Sequence, residues 1–397
     1  PTLNGQPWLE KPVLLYWREM VAYSLFGVHD WVARLPSATF AAGLALAIFF
    51  FVRRFRRGSE LDATLITISS VAVIGFARGA STDMQLSAPF CVAMLAWWAW
   101  HDTGEKVWLA ASYALLALGA LAKGPVAPGL AVLIVSAYAW LRRDARIFTR
   151  TLWLPGMALF CAIALPWYIA VQMKVPSFFK IFFLQNNLER FSTNLYQHAQ
   201  PFWYYIPVFL LAVVPWIIFT VPALVTGIRA TAKEARGIQS ESEGRDWLAV
   251  FLTLWVVIPV VFFSISRSKL PGYILPAIPA ATLLTAIDLH RRGSISRVQA
   301  LLHALVCGAL VGGALLAPWR MLRAPLPGTT RAIIAVSAAL VGILVLLAVR
   351  RAGLRRLQFA TIGPIAVGLL FLLGASARVI DQTQSARAVA AALQTDL

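Results

Sequence analysis

Glu10 and Lys11 stand side by side in the string Asn4-Gly5-Gln6-Pro7-Trp8-Leu9-Glu10-Lys11-Pro12, just ahead of the run Val13-Leu14-Leu15-Tyr16-Trp17. A lysine ammonium is a compact cation that can meet a phosphate as a point charge. Beside a membrane the same side chain can instead snorkel to lipid headgroups. A second string, Arg78-Gly79-Ala80-Ser81-Thr82-Asp83-Met84, carries one carboxylate at the edge of an apolar run. An ionisable group at a membrane edge is a functional candidate; Asp83 equally suits a helix N-cap. The third string runs from Phe182 through Gln185, Glu189 and Arg190 to Tyr196-Gln197-His198 and Pro201-Phe202-Trp203-Tyr204-Tyr205. The planar fork of Arg190 matches phosphate oxygens, although a solvated charge beside an aromatic belt needs no such role. His198 by itself reads as an interfacial histidine rather than a metal ligand. The fourth, Ser266-Arg267-Ser268-Lys269-Leu270-Pro271-Gly272-Tyr273-Ile274-Leu275-Pro276, sets two cations and a tyrosine around a Pro-Gly break.

The elements that must hold these strings are membrane helices. Of the 397 residues 59% are hydrophobic and 13% charged, too little polar surface for a soluble domain. A bilayer core about 30 Å thick needs roughly 20 mostly apolar residues per helix. The apolar runs do not alternate as barrel strands would. The expected fold is all-α and polytopic, with about twelve spans by that length rule: 36–52, 62–78, 86–100, 107–121, 126–141, 152–171, 203–225, 247–263, 271–287, 298–317, 332–349 and 359–375. Cys91, Cys161 and Cys307 fall inside such runs and form neither a disulfide framework nor a metal-ligand spacing.

Charge then orients the chain. The net charge of +18 resides largely in short connectors. Residues 53–61, 101–106, 142–151, 226–246, 288–297 and 350–358 carry four, one, four, four, three and four Lys/Arg. This is the positive-inside pattern, with contact to anionic lipid, and not a nucleic-acid footprint. These connectors are expected on the cytoplasmic side. Residues 1–35, 79–85, 122–125, 173–202 and 264–270 then fall outside. Of these, 1–35 and 173–202 mix aromatics, Pro and isolated charges like helices lying in the interface plane. The expected organisation is an outer-face loop over 1–35, a core over 36–290 and C-terminal helices over 291–397. All four polar strings meet on the outer side. Three bring cations (Lys11, Arg190, Lys269) and one brings a carboxylate, a set that suits an anionic amphiphile entering from the bilayer.

In order along the chain stand Asn4-Gly5 to Glu10-Lys11-Pro12 with Tyr16-Trp17, Ala33-Arg34-Leu35-Pro36, Leu121-Ala122-Lys123-Gly124-Pro125, and Leu165-Pro166-Trp167-Tyr168. Arg190-Phe191, Pro201-Phe202-Trp203-Tyr204-Tyr205, and Lys269-Leu270-Pro271 with Tyr273-Ile274-Leu275-Pro276 complete the series. Together they resemble the polyprenyl-phosphate-dependent membrane glycosyltransferases of the GT-C fold, relatives of lipid A aminoarabinose transferases and protein O-mannosyltransferases. The resemblance implies inverting transfer of one sugar from a lipid-phosphate donor to a lipid A, glycan or protein acceptor outside the cytoplasm, in an inner-membrane protein. It implies that Lys11, Arg190 and Tyr273 approach the donor phosphate, with Lys269 as a neighbour. Asp83 matches the acid of the family's second outer loop. Glu10 matches a position that binds a metal in some relatives, with Gln185 or His198 near the second ligand. Lys123, beside Gly124-Pro125, reads as a structural cation.

The chemistry agrees with that implication. A departing phosphate needs cations aimed at its developing charge, and the acceptor hydroxyl needs a carboxylate base within reach. No Gly-rich phosphate loop is present. The family's expected base belongs to an acidic pair ahead of the Asn-Gly string, so base and first helix are expected upstream of Pro1. On that expectation residues 1–397 alone have little transferase activity. The competing class is a transporter or flippase of an anionic lipid, which favours mid-membrane charges and two related halves. The spans carry few charges and show no half-to-half likeness.

Overall fold

The computed structural model describes residues 2–3, 5–7, 10–182, 200–237, 246–321, 328–352, 357–358 and 361–366. Two compact units make up the chain, Pro1–Asp288 and Leu289–Leu397. In the first, a two-residue hairpin pairs Thr2–Leu3 with Gln6–Pro7 around Gly5, whose φ of 77° suits a tight turn. Then come α1 (Leu14–Phe26), α2 (Asp30–Phe55), α3 (Glu60–Ile68), α4 (Val71–Ala77), α5 (Thr82–Thr103), α6 (Lys106–Lys123), α7 (Val126–Leu141), α8 (Ala145–Thr151) and α9 (Leu154–Lys174). After a 3-10 turn at Phe202–Tyr204 follow α10 (Tyr205–Ala212), α11 (Ile217–Ala235), α12 (Trp247–Ile265), a 3-10 segment Pro271–Ala277 and α13 (Ile278–Arg292), which crosses the unit boundary.

The fold is the expected helical membrane protein. Among the described residues six helices are long and apolar enough to cross a membrane, or seven if α3 and α4 are one span bent by 64°. That is fewer than the twelve runs read from the sequence, for local reasons. The run 126–141 forms a helix of 16 residues, and 203–225 breaks between α10 and α11. The run 86–100 lies inside α5, whose ends bring in Asp83, Gln85, His101 and Asp102. The expected span 359–375 lies mostly outside the described residues.

The α5–α6 hairpin anchors the first unit. Ser81 caps α5, its Oγ accepting from the Asp83 N–H at 3.3 Å. Gly104 (φ 76°) ends α5 and turns the chain into α6, which stops at Gly124 (φ 75°) before Pro125. Every residue of α5 from Met84 to Phe90 is buried, so the helix is enclosed all round there, and Phe90 meets Trp255 of α12 edge-on at 6.0 Å. Trp255 then holds the 3-10 segment. The Pro276 carbonyl accepts from Trp255 Nε1 at 2.9 Å and from Cys91 Sγ at 3.4 Å. Hydroxyl contacts join further helices: Thr67 with Thr282 at 2.7 Å, and Thr285 with Thr220 at 2.9 Å.

In the second unit α14 (Arg297–Met321) packs against α15 (Gly328–Ala352). A β-carbon at Gly308 would stand 2.8 Å from the Ala338 carbonyl oxygen, so the small residue sets how closely these helices approach. His303 Nε2 lies 3.0 Å from Thr361 Oγ1.

Candidate active site

Because α5 and α6 run antiparallel, the first turn of α5 and the last turn of α6 lie together. An acid belongs at a helix start and a base at a helix end, each favoured by the local dipole. Here the two are Asp83 and Lys123, and Lys123 Nζ donates to Asp83 Oδ1 at 2.5 Å. Their side chains are 20% and 13% exposed, so water screens the pair only in part. With Ser81 as the cap, the Asp83 carboxylate is spared for the cluster.

The 3-10 segment closes the group from above. Lys123 Nζ lies 5.0 Å from the centroid of the Tyr273 ring, within cation–π range. Gly272 rests on the Asp83 carboxylate: a β-carbon there would stand 2.5 Å from Oδ1 and 2.9 Å from Phe76 Cζ. Tyr205 of α10 donates its hydroxyl to the Leu270 carbonyl at 3.1 Å, fixing the approach to the Pro-Gly break. Backbone groups freed by that break thus face protein, as a membrane edge demands.

Glu10 and Lys11 come just ahead of α1, which contacts the start of α5. Arg18 of α1 reaches Gln85, two residues past Asp83, donating to Oε1 at 2.5 Å and to Thr39 Oγ1 at 2.5 Å. Its guanidinium carbon sits 3.5 Å from the centroid of the Phe40 ring. One side chain therefore ties α1 to α5 and α2, and burial lowers its pKa to about 10. Lys11, just ahead of α1, donates to Glu10 Oε1 at 3.0 Å, with the two side chains 25% and 32% exposed. Burial raises the pKa of Glu19, and burial together with the charges of Glu10 and Glu19 raises that of Tyr16.

The outcome for the residues singled out in the sequence is mixed. Asp83 and Tyr273 come together, and Lys123, read as a structural cation, joins them. Lys269 does not open into the cluster. It is buried, and its ammonium donates to the Gln200 carbonyl at 3.0 Å and to the Ser266 carbonyl. Loss of water lowers its pKa. In this structure Lys269 acts as a backbone clamp, because a lysine removed from water satisfies its donors with the nearest carbonyls. Arg190, Gln185 and His198 lie outside the described residues. Among the described residues no group of three His, Cys, Asp or Glu forms, and the Glu10 carboxylate faces Lys11. Arg18 and Gly272 were missed as site-building residues: an Arg in an interfacial helix and a Gly in a break carry no distinguishing signal.

The family described as dolichyl-phosphate-mannose-protein mannosyltransferase matches residues 10–169. The crystal structure of ArnT from Cupriavidus metallidurans bound to undecaprenyl phosphate superposes with a TM-score of 0.74 at 26% identity, covering 94% of this chain and 68% of that one. Taken with the fold and the Asp83–Lys123–Tyr273 cluster, these likenesses define the class that the chain resembles: the lipid-phosphate-dependent GT-C membrane glycosyltransferases. Within that class it is similar to the undecaprenyl phosphate-alpha-4-amino-4-deoxy-L-arabinose arabinosyl transferases. The Erwinia tasmaniensis protein is 29% identical over 394 residues, which are 95% of this chain and 68% of the relative. The Edwardsiella ictaluri protein is 31% identical over 343 residues, 83% of this chain and 59% of the relative. This chain therefore spans between about three fifths and two thirds of those two relatives.

Proposed function

We propose that the protein moves a sugar of the aminoarabinose class from a polyprenyl phosphate to lipid A, with inversion, on the extracytoplasmic face of the bacterial inner membrane. The observation that carries this reading is the Lys123–Asp83–Tyr273 cluster, to which Arg18 ties the start of α1, just after Glu10 and Lys11 in the chain. The basic connectors belong to the opposite ends, which supports an outer position for the cluster.

In the proposed step an acceptor hydroxyl attacks the anomeric carbon opposite the donor phosphate. The glycosidic carbon–oxygen bond breaks, its electron pair leaves with the phosphate, and the hydroxyl proton is lost to a base. The phosphodiester of the donor becomes a phosphate monoester carrying one more negative charge. Lys11 and Arg190 serve as cations for that charge, worth most where water is excluded. Tyr273 bounds the phosphate site, and Lys123 fixes Asp83, whose carboxylate orients the acceptor hydroxyl. Glu10 holds Lys11 in place.

The test is sugar transfer in proteoliposomes from a mass-tagged undecaprenyl-phosphate sugar to lipid A, using the full-length protein. Transfer that needs both lipids and falls with Lys11→Ala supports the reading. Folded protein that leaves the sugar on its donor with lipid A, glycan and protein acceptors alike would refute it.

A further inference from the structure

At the end of the helices opposite Asp83, two cavities adjoin. The larger, about 680 Å³, opens beside the α7–α8 turn and is bounded by Arg143, Asp144 and Glu234 together with Trp140. The smaller, about 210 Å³, is apolar and lies among α6, α7 and α9, where Tyr113, Leu116, Met157 and Phe160 border it. Phe148 of α8 lines both. One face of α7 runs from one to the other: Val132 and Val135 border the apolar cavity, Ser136 and Ala139 the polar one. Their spacing of three and four residues makes a single continuous stripe.

The depth of this place in the membrane is marked by aromatic and basic residues. Trp140 is 71% exposed, Arg142 sits 4.4 Å from the centroid of the Trp247 ring, and Lys106 lies 5.3 Å from that of Trp153. Such a girdle belongs at headgroup level. Among the described residues Arg143 is the one non-glycine with a positive φ, at 53°. Its guanidinium lies against Gly237 at the end of α11, where a β-carbon would stand 3.0 Å from Nη2. That backbone closes α7 as a left-handed cap, the Arg143 N–H donating to the Trp140 carbonyl at 3.0 Å and the Asp144 N–H to the Ala139 carbonyl at 3.1 Å, and so sets where the two side chains leave the helix end.

We propose that this paired cavity is a binding site for phosphatidylethanolamine. The larger cavity takes the headgroup, with the phosphate on Arg143 and the primary ammonium between Asp144 and Glu234. The smaller takes the first part of an acyl chain. Two carboxylates with one cation are complementary to a headgroup carrying both an amine and a phosphate. They disfavour phosphatidylglycerol, which has the phosphate alone. The site is separate from the donor cluster and does not depend on the reaction assigned to it.

The test is native mass spectrometry of the purified protein in detergent, titrated with dioleoyl phosphatidylethanolamine, dioleoyl phosphatidylglycerol and dihexanoyl phosphatidylethanolamine. The expected result is about five-fold tighter binding of dioleoyl phosphatidylethanolamine than of either competitor, a difference of about 1 kcal/mol. Glu234→Gln, nearly identical in shape, should bring the two dioleoyl lipids to parity. Because the readout is a ratio on one folded sample, partial unfolding of the variant does not alter it. Equal or tighter binding of the glycerol lipid, equal binding of the short-chain lipid, or a preference that survives Glu234→Gln would each overturn the proposal.

Discussion

Gly272 touches the Asp83 carboxylate so closely that a β-carbon would stand 2.5 Å from its Oδ1 and 2.6 Å from its Cγ. The same carboxylate is bound by Lys123 at 2.5 Å, so it cannot retreat without breaking an ion pair. Gly272→Ala is therefore expected to displace Asp83 rather than be absorbed by a flexible neighbour. Misplacing a positioned group by about 1 Å costs on the order of 10²-fold in rate. Overpacking of this kind costs about 1–3 kcal/mol in stability. Transfer assays beside thermal unfolding in detergent check this, and wild-type turnover in the folded variant would show that Asp83 has no positional role.

Asp83 and Lys123 should also behave as one unit. Removing one partner of a half-buried pair strands the other, so Asp83→Asn and Lys123→Met should each lower the unfolding midpoint. The double variant should be less destabilised than the sum, by roughly 0.5–3 kcal/mol of coupling. A double-mutant cycle on midpoints converted to free energy measures this. Strict additivity would mean the contact contributes nothing.

Lys269 and Lys11 are expected to separate cleanly. Lys269→Met leaves the Gln200 and Ser266 carbonyls without their donor, at about 1–3 kcal/mol for a buried unsatisfied group. Its signature is a lower midpoint with an unchanged KM for the lipid donor. Lys11→Met should do the reverse, keeping the midpoint and lowering kcat by about 10²–10³ if its ammonium meets the leaving phosphate. The two variants measured side by side decide it.

Arg18→Lys is expected to loosen α1. A lysine offers no planar fork, so it cannot serve Gln85 and Thr39 together while stacking on Phe40. Proteolysis within residues 10–29 should accelerate in Arg18→Lys relative to the rest of the chain. Equal cleavage rates would remove Arg18 from its role as the tie between α1 and α5.

The side assignment has a direct check. With Cys161 replaced by Ala, a cysteine at Pro125 should react with an impermeant maleimide in intact cells, and one at Glu105 only after permeabilisation. Both positions are exposed and lie at opposite ends of α6 and its flanking turns. The reverse pattern would put the Asp83 cluster in the cytoplasm.

Much of this was legible beforehand because membrane helices announce themselves by length and apolarity. The runs at 107–121, 152–171 and 247–263 match α6, α9 and α12 to within a few residues. Where the run was ambiguous, packing decided. Residues 203–225 are apolar throughout, yet the chain breaks there between α10 and α11, with Trp216 Nε1 bonded to Ser69 Oγ at 2.8 Å. Ser69 in turn sits at the bend between α3 and α4, so one break supports another, and hydropathy is blind to both.

By itself the sequence determined that the chain is a bundle of membrane helices, which ends are basic, and that acids, cations and a tyrosine gather in short connectors at the other ends. Those features depend on composition along one dimension. Tertiary structure decided which of them meet. Lys123 and Lys269 are both lysines within two residues of a proline at the end of an apolar run. One faces Asp83 across an antiparallel hairpin and lies by Tyr273; the other turns inward to backbone carbonyls. The difference lies in what each helix end is packed against, since a lysine shut away from water bonds to whatever acceptors the fold brings within reach.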